Sequence, residues 1–275
     1  MRRTGVKRDK AILLIGAGRM GGALLKGWIA KGIGPVEAIE PHPSPALKAL
    51  EKKSGVVLHA DLATAPKRVR ACVIALKPQL LRTEAVRLRG LAESGALMLS
   101  IAAGTSIKTM TKAWGRNARI VRAMPNTPGS IGKGIAALYA APKATDQDRA
   151  LAESLLSALG PTVWVKREAL VDATTAVSGS GPAYVFYLVE ALAEAGMAVG
   201  LPREVAEALA RATITGAGAL LDADPRPAAE LRRDVTSPGG TTEAALKVLT
   251  ADDGLRALMT RAVAAANARA KELSS

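Results

Sequence analysis

The stretch that decides the fold is AILLIGAGRMGG, residues 11–22. An apolar run leads directly into Gly16, Gly18 and Gly21, which are spaced G-x-G-x-x-G and are followed by a helix-compatible segment. Gly16 permits a tight turn, Gly18 lets the backbone approach a pyrophosphate, and Gly21 allows the helix to pack closely on the strand. The helix start, with Arg19 and Met20, directs N–H groups and a partial positive charge at the phosphates. The stretch predicts a dinucleotide-binding site.

The next strand-like run, VEAIE (36–40), supports this prediction. It ends in Glu40, nineteen residues after Gly21, where a carboxylate can accept hydrogen bonds from the adenine-ribose hydroxyls. Glu40 would repel a 2′-phosphate and therefore favours NADH. Four side chains close behind could neutralise that phosphate: His42, Lys48, Lys52 and Lys53. An exposed helix face explains the lysines better than phosphate binding does, and the sequence predicts NADPH or NADH without choosing between them.

Short apolar runs alternate with helix-like segments over the first 165 residues. The runs are AILLIG (11–16), VEAIE (36–40), ACVIAL (71–76), ALMLSIA (96–102), RIVRAM (119–124), GIAALYA (134–140) and TVWV (162–165). Fully apolar strands are typical of a parallel sheet that is covered by helices on both faces. We therefore predict an α/β fold, a Rossmann-type doubly wound parallel sheet over residues 11–166, preceded by a disordered basic tail over residues 1–10.

The pattern changes near residue 168 to long Ala/Leu/Glu-rich stretches with apolar residues at helical spacing. Pro182 and Pro202 stand where they would begin helices, and Gly200 and Gly254 punctuate others. We predict an all-α C-terminal domain over residues 167–275.

Two polar loops follow strand-like runs of the first domain: Leu76-Lys77-Pro78-Gln79 and Met124-Pro125-Asn126-Thr127. Open α/β sheets bind ligands at the carboxyl ends of their strands, so Leu76, Lys77, Pro78 and Asn126 are candidate cofactor-binding residues. The prolines alone are also explained by strand termination.

The helical domain contains two further candidate loops. Residues 234–242, DVTSPGGTT, can form a nest of backbone N–H groups around a small carboxylate, although Thr241 acting as a helix N-cap explains the same pattern. Ser178 opens SGSGPAY (178–184), where helix capping and ligand binding are equally supported.

Composition limits the classes of function. The net charge is +14, but the basic residues are spread along the chain and aromatic residues make up only 3%, which argues against nucleic acid as the partner. No apolar stretch is long enough to predict a membrane span or a signal peptide. Cys72 is the single cysteine and fits a reducing, cytoplasmic compartment. No metal-ligand spacing is present, so no metal site is predicted.

Together these motifs resemble those of the pyrroline-5-carboxylate reductases. The resemblance covers nearly the whole chain. It rests on the glycine fingerprint at 16–21, ALKPQ at 75–79, SIAAG at 100–104, VRAMPNTPG at 121–129, SGSGPAYVF at 178–186 and DVTSPGGTT at 234–242, of which the last three are the most specific. It implies NAD(P)H-dependent hydride transfer to C5 of 1-pyrroline-5-carboxylate, a cyclic imino acid, giving L-proline in the last step of proline biosynthesis.

The resemblance also implies a homodimer of intertwined helical domains, with larger rings such as a decamer, and an active site that spans two subunits. Backbone N–H groups of Gly240, Thr241 and Thr242, beside Gly239, would hold the substrate carboxylate, and Val235 would contact the ring. Ser178 is a further candidate for substrate binding. The Thr242 hydroxyl would approach the ring nitrogen, and it is the candidate catalytic residue.

Three other functions fit parts of the pattern. A β-hydroxyacid dehydrogenase would carry a lysine in the inter-domain helix, but residues 178–192 contain none. An imine reductase for larger cyclic imines would be expected to differ in the loop at 235–242. A non-catalytic nucleotide-sensing or nucleic-acid-binding protein is kept open by the positive charge.

Overall fold

The computed structural model describes residues 11–274, so the predicted basic tail at 1–10 lies outside the described residues. The chain divides into two compact units. One contains the chain up to Gly179 together with the segment from Asn267 onward, and the other contains Ser180–Ala266. The compact units divide after Gly179, within the SGSG sequence. The domain boundary after Lys166 stays a prediction.

The first unit is built on one eight-stranded sheet. Its strands are β1 (Ile12–Ile15), β2 (Val36–Ile39), β3 (Val57–His59), β4 (Ala71–Ile74), β5 (Leu97–Ser100), β6 (Arg119–Pro125), β7 (Ala136–Ala140) and β8 (Thr162–Trp164). All seven predicted strands are present. The sequence reading missed β3, a three-residue strand that pairs only with β2.

The strand order is β3-β2-β1-β4-β5-β6-β7-β8, and every neighbouring pair is parallel except β6 and β7. The first six strands in this order give the doubly wound arrangement that binds nucleotides where the order reverses, between β1 and β4. The antiparallel β6–β7 pair departs from the all-parallel prediction. Only residues 126–135 join these strands, which is too short for a helical crossover but sufficient for an antiparallel return.

Helices cover both faces of this sheet. They are α1 (Arg19–Ala30), α2 (Pro45–Ser54), α3 (Pro78–Glu84), α4 (Arg89–Glu93), α5 (Ile107–Trp114), α6 (Asp146–Leu156) and α7 (Ala169–Thr174). The buried residues form two apolar clusters, and alternate residues of β1 and β4 belong to different clusters. Cys72 is fully buried in one of them, and burial raises the pKa of its thiol.

The second unit is helical, as predicted. Its helices are α8 (Gly181–Ala198), α9 (Arg203–Ala223), α10 (Ala228–Asp234), α11 (Thr241–Leu249) and α12 (Leu255–Ser274), of which α12 continues into the first unit after Ala266. Pro182 lies in the first turn of α8, and Pro202 is the residue before α9. Within residues 11–274, no helix combines the length and the apolar composition that a membrane span requires.

Candidate active site

The glycine loop between β1 and α1 has the three steric properties that its spacing predicts. Gly16 has a φ of +87°, a conformation that L side chains rarely adopt. A Cβ on Gly21 would lie 2.0 Å from the Gly16 carbonyl oxygen, so any side chain there would force α1 away from the strand. A Cβ on Gly18 would meet no protein atom within 4 Å. The packing of the described chain therefore does not require glycine at position 18, whereas the close approach of a ligand would.

The start of α1 is open to an anion. Gly18 is its N-cap and makes no side-chain capping bond, and the first turn carries no acidic residue. Arg19 is exposed there, while the side chain of Met20 packs against the core. The first N–H groups of a helix lack intrahelical partners, so this loop fits the pyrophosphate of a dinucleotide.

Glu40 closes one side of the same loop. Its Oε2 accepts a hydrogen bond from the Ala17 N–H at 2.9 Å, and its Oε1 accepts one from the His42 N–H at 3.2 Å. The sequence reading assigned Glu40 to the ribose hydroxyls and did not foresee these two backbone bonds. A carboxylate can accept about four hydrogen bonds, so Glu40 can hold the loop and still bind a ribose.

Two cavities adjoin Glu40. One has a volume of about 320 Å³ and lies at the ends of β1, β2 and β4. It is lined by Ile15, Gly16, Ile39, Glu40, Pro41, Ala60, Asp61, Leu62, Leu76, Leu80, Glu84, Arg87 and Leu88. The other, of about 430 Å³, lies between Glu40 and α2. Its lining includes Lys48, Glu51, Lys52 and His59.

The rim of the first cavity contains an ion pair that the sequence reading missed. Asp61 accepts from the Ala63 N–H at 2.8 Å and pairs with Arg87 at 3.1 Å. The Ala63 backbone bond, followed by the Arg87 side chain, lowers the pKa of the Asp61 carboxyl below its ordinary 3.8. The signal available in the sequence was the Asp-x-Ala start of a short helical turn directly after β3.

The two predicted strand-end loops have different local roles. Leu76 lines the first cavity and touches the position that a Cβ on Gly16 would occupy. Lys77 is the exposed N-cap of α3, and Pro78 is its first residue. Among the described residues, the Lys77 ammonium group has no hydrogen-bond or ion-pair partner, so it is available to a ligand.

Asn126 has a structural role beside its predicted one. Its Oδ1 accepts from the Ile135 N–H at 2.9 Å and lies 2.7 Å from where a Cβ on Gly134 would be. The side chain therefore braces the return from β6 to β7. The amide nitrogen is the group that it can still offer to a cofactor.

Ser178 does not cap a helix. It lies in a π-helical turn, Thr175–Gly179, and its hydroxyl donates to the Thr174 carbonyl at 3.0 Å. The N-cap of α8 is Ser180, whose side chain makes no capping bond. Single π-turns occur often at functional sites, and the hydroxyl oxygen retains the capacity to accept a bond from a ligand.

In the second unit, the loop before α11 corrects the capping alternative. Gly240, not Thr241, is the N-cap, and it makes no side-chain capping bond. Gly239 has a φ of +71°, and the Gly240 N–H donates to the Ser237 carbonyl at 3.0 Å. The N–H of Gly240 is thus used within the turn, while those of Thr241 and Thr242 begin the helix. Val235, which precedes the glycines, is 63% exposed.

Comparison with known proteins bears on both units. A family model described as "Pyrroline-5-carboxylate reductase dimerisation" matches residues 168–273, and one described as "NADP oxidoreductase coenzyme F420-dependent" matches residues 11–104. The pyrroline-5-carboxylate reductase of Synechocystis sp. is 41% identical over 262 residues, which are 94% of this chain and 97% of that protein. This chain belongs to the pyrroline-5-carboxylate reductase family.

Solved structures agree with this assignment. A pyrroline-5-carboxylate reductase of Coxiella burnetii aligns with a TM-score of 0.90 at 37% identity, covering 97% of this chain and 99% of that one. A pyrroline carboxylate reductase of Plasmodium falciparum, solved with NADP bound, aligns with a TM-score of 0.79 at 25% identity, covering 98% and 99%. The reductase architecture thus extends over both units.

A carboxylate that the sequence reading did not select also shapes the reductase loop before α11. The Oε2 of Glu243 accepts from the Gly239 N–H at 2.6 Å. Glu243 is the third residue of α11, which is where a capping-box glutamate reaches back to the preceding backbone. The spacing from Gly240 to Glu243 was the available signal.

An arginine clamps the other end of this loop. Arg226 donates to both oxygens of Asp224 and forms a 3.0 Å ion pair with Asp234, the first residue of DVTSPGGTT. The bond from the Arg226 side chain lowers the pKa of Asp224, and these carboxylates raise the pKa of Arg226. Asp224, which the sequence motifs do not single out, belongs to this clamp. Within the described residues, no group of three or more His, Cys, Asp or Glu side chains could hold a metal ion.

Proposed function

We propose that this protein reduces 1-pyrroline-5-carboxylate to L-proline with NADH or NADPH. The observation that carries the proposal is Gly18, where an added Cβ would meet only open space in a loop that otherwise has the strict sterics of a dinucleotide site. Family membership supplies the substrate class. The helix starts at α1 and α11 supply backbone N–H groups for a pyrophosphate and for a small carboxylate, respectively.

The cofactor, when bound, supplies the hydride that the C=N carbon accepts. On the protein side, the residues from Gly16 to Gly21 hold the pyrophosphate and Glu40 holds the adenine ribose. Leu76, Lys77, Pro78 and Asn126 line the remainder of the cofactor site. These assignments follow from the position of each residue at the carboxyl edge of the parallel strands.

The substrate carboxylate binds at the start of α11, to the N–H groups of Thr241 and Thr242, with Gly239 and Gly240 forming the turn. The Thr242 hydroxyl positions the ring nitrogen. The imine must be protonated to accept a hydride, and an unperturbed threonine is too weak an acid to supply that proton, so the proton arrives with the substrate or through water. Ser178 and Val235 complete the substrate contacts.

A spectrophotometric assay tests this function. The purified full chain should oxidise NADH or NADPH when 1-pyrroline-5-carboxylate is added, and it should not reduce NAD⁺ or NADP⁺ when hydroxyacids are added. Thr242→Ala should lower turnover by about tenfold or less if the hydroxyl only positions the nitrogen. Thr250→Ala, which removes a hydroxyl at the far end of α11, is the matched control. A folded sample that oxidises neither cofactor with this substrate contradicts the proposal.

We also propose that the second unit forms a homodimer. Large apolar side chains are exposed along it, including Phe186 at 62%, Tyr187 at 70% and Val248 at 72%. Such surfaces are typical of obligate interfaces. Light scattering should give a mass of two chains, or of ten if dimers assemble into the decamer that the family resemblance implies. A monomer would contradict the proposal.

The buried single cysteine is consistent with a cytoplasmic location.

A further inference from the structure

We infer that this protein prefers NADH to NADPH, because the Glu40 carboxylate is fixed where the 2′-phosphate of NADPH would have to lie. The inference rests on the proposed use of a nicotinamide cofactor and deepens it. An acidic residue about twenty positions after the glycine fingerprint faces the 2′-hydroxyl of the adenine ribose, which carries the phosphate in NADPH. What decides the preference is whether that carboxylate can move aside.

The two backbone bonds of Glu40 prevent such a movement. Oε2 is held by the Ala17 N–H within the glycine loop, and Oε1 is held by the His42 N–H in the segment that follows β2. Rotating the side chain away from the ribose would leave both donors without this partner. One of those donors belongs to the loop that binds the pyrophosphate. Admitting a 2′-phosphate beside Glu40 would therefore disturb the phosphate loop itself.

The cations near Glu40 do not convert the region into a phosphate site. Lys48 and Lys52 line the cavity between Glu40 and α2, but Glu51 lines it as well. Two lysines thus face two carboxylates, and the local charge is balanced. Glu51 is itself fixed, because its Oε1 accepts from the Leu58 N–H at 3.1 Å. Among the described residues that line this cavity, a dianionic phosphate would meet no excess of positive charge.

His59 lines the same cavity but is engaged elsewhere. Its Nε2 lies 2.6 Å from Oε2 of the largely buried Glu37, and its Nδ1 lies 3.3 Å from the Thr64 hydroxyl. Both ring nitrogens therefore have partners within the protein. This histidine cannot turn toward a 2′-phosphate without leaving the Glu37 carboxylate unpaired.

The test compares both cofactors with one substrate and in the absence of any substrate. Steady-state kcat/KM with saturating 1-pyrroline-5-carboxylate should be at least about tenfold higher for NADH than for NADPH. Calorimetric titration without substrate should give a lower dissociation constant for NADH than for NADPH. Glu40→Gln keeps the size of the side chain and removes its charge. It should reduce the NADH:NADPH ratio by at least about tenfold in both measurements.

Glu93→Gln is the matched control, because it removes an exposed carboxylate of the same unit that lines neither of the two cavities beside Glu40. It should change the ratio by less than about threefold. A wild-type protein that prefers NADPH, or a Glu40→Gln variant with an unchanged ratio, overturns the inference. If neither cofactor is oxidised but calorimetry still shows tighter binding of NADH, the proposed reaction fails and the cofactor preference stands.

Discussion

Gly18 and Gly21 lie three residues apart in one loop, yet substituting them by alanine should give opposite phenotypes. At Gly21 the new Cβ would be placed 2.0 Å from the Gly16 carbonyl oxygen and 3.2 Å from the Ala75 Cβ. An ordinary contact requires the helix to retreat by more than about 1 Å, and overpacking of this severity costs about 3 kcal/mol or more. For a chain of this size that corresponds to a melting temperature lowered by about 6–12 °C.

At Gly18 the Cβ would meet no atom of the described chain within 4 Å, and the φ of −65° is one that alanine adopts. Gly18→Ala should therefore leave the melting temperature within about 4 °C of the wild type, corresponding to a stability change of at most about 1 kcal/mol. The methyl group would instead occupy the space that the pyrophosphate needs. The dissociation constant for NADH should rise by at least about tenfold.

Differential scanning calorimetry of the apo proteins and isothermal titration with NADH separate the two effects. The reasoning is refuted if Gly18→Ala melts as early as Gly21→Ala, because position 18 would then be constrained by the fold. It is equally refuted if Gly18→Ala binds NADH with an unchanged dissociation constant, because the open space at Gly18 would then not be the ligand's.

Three further predictions concern the charged contacts. Arg122 is buried between Glu168 and Asp172. Arg122→Met should therefore lower the free energy of unfolding in urea by about 3–5 kcal/mol. The control Arg89→Met, at an exposed ion pair, should change it by less than about 1 kcal/mol. Glu243→Ala should raise the KM for 1-pyrroline-5-carboxylate by about threefold to tenfold and leave the NADH dissociation constant unchanged. Glu243→Gln retains an acceptor oxygen and should therefore restore most of the substrate affinity. An unchanged KM in both variants would contradict the role of the Gly239 bond. The pKa of Asp61 in the folded protein is lowered from 3.8. The ionised carboxylate therefore stabilises the fold fully above pH 3.8, and this stabilisation is lost as the pH falls through the pKa of the folded state. The urea midpoints of Asp61→Asn and the wild type should accordingly differ at pH 7 and converge in acid.

The main elements of the fold could be predicted because the apolar pattern of the chain is regular. Strands such as ACVIAL are apolar on both faces, which is expected only where helices cover the sheet on both sides. β3 was missed because it is an edge strand of only three residues that pairs with β2 alone. Its residues are exposed or half-buried, so they give no apolar run in the sequence. The antiparallel turn between β6 and β7 depends on the length of the connection, which the apolar pattern does not report.

The steric roles of the three fingerprint glycines could also be predicted, since they follow from the missing Cβ alone. Side-chain partners could not be predicted in the same way. Whether Asn126 faces a ligand or braces Ile135, and whether Ser178 caps α8 or bonds to Thr174, depends on rotamers and neighbours that spacing does not encode. The Arg122 network joins β6 to residues 168 and 172, a pairing that only the folded chain brings together.

The two ligand loops are nevertheless stabilised by the same device. In each, a glutamate of the chain accepts the N–H of a residue in the glycine turn: Glu40 from Ala17, and Glu243 from Gly239. A flexible glycine turn loses conformational entropy when it closes on an anion, and an internal carboxylate reduces that loss by fixing the turn beforehand. The same negative charge then limits which anions can enter. A carboxylate that fixes the loop also selects the ligand, which is why we place the cofactor preference on Glu40 rather than on the lysines behind it.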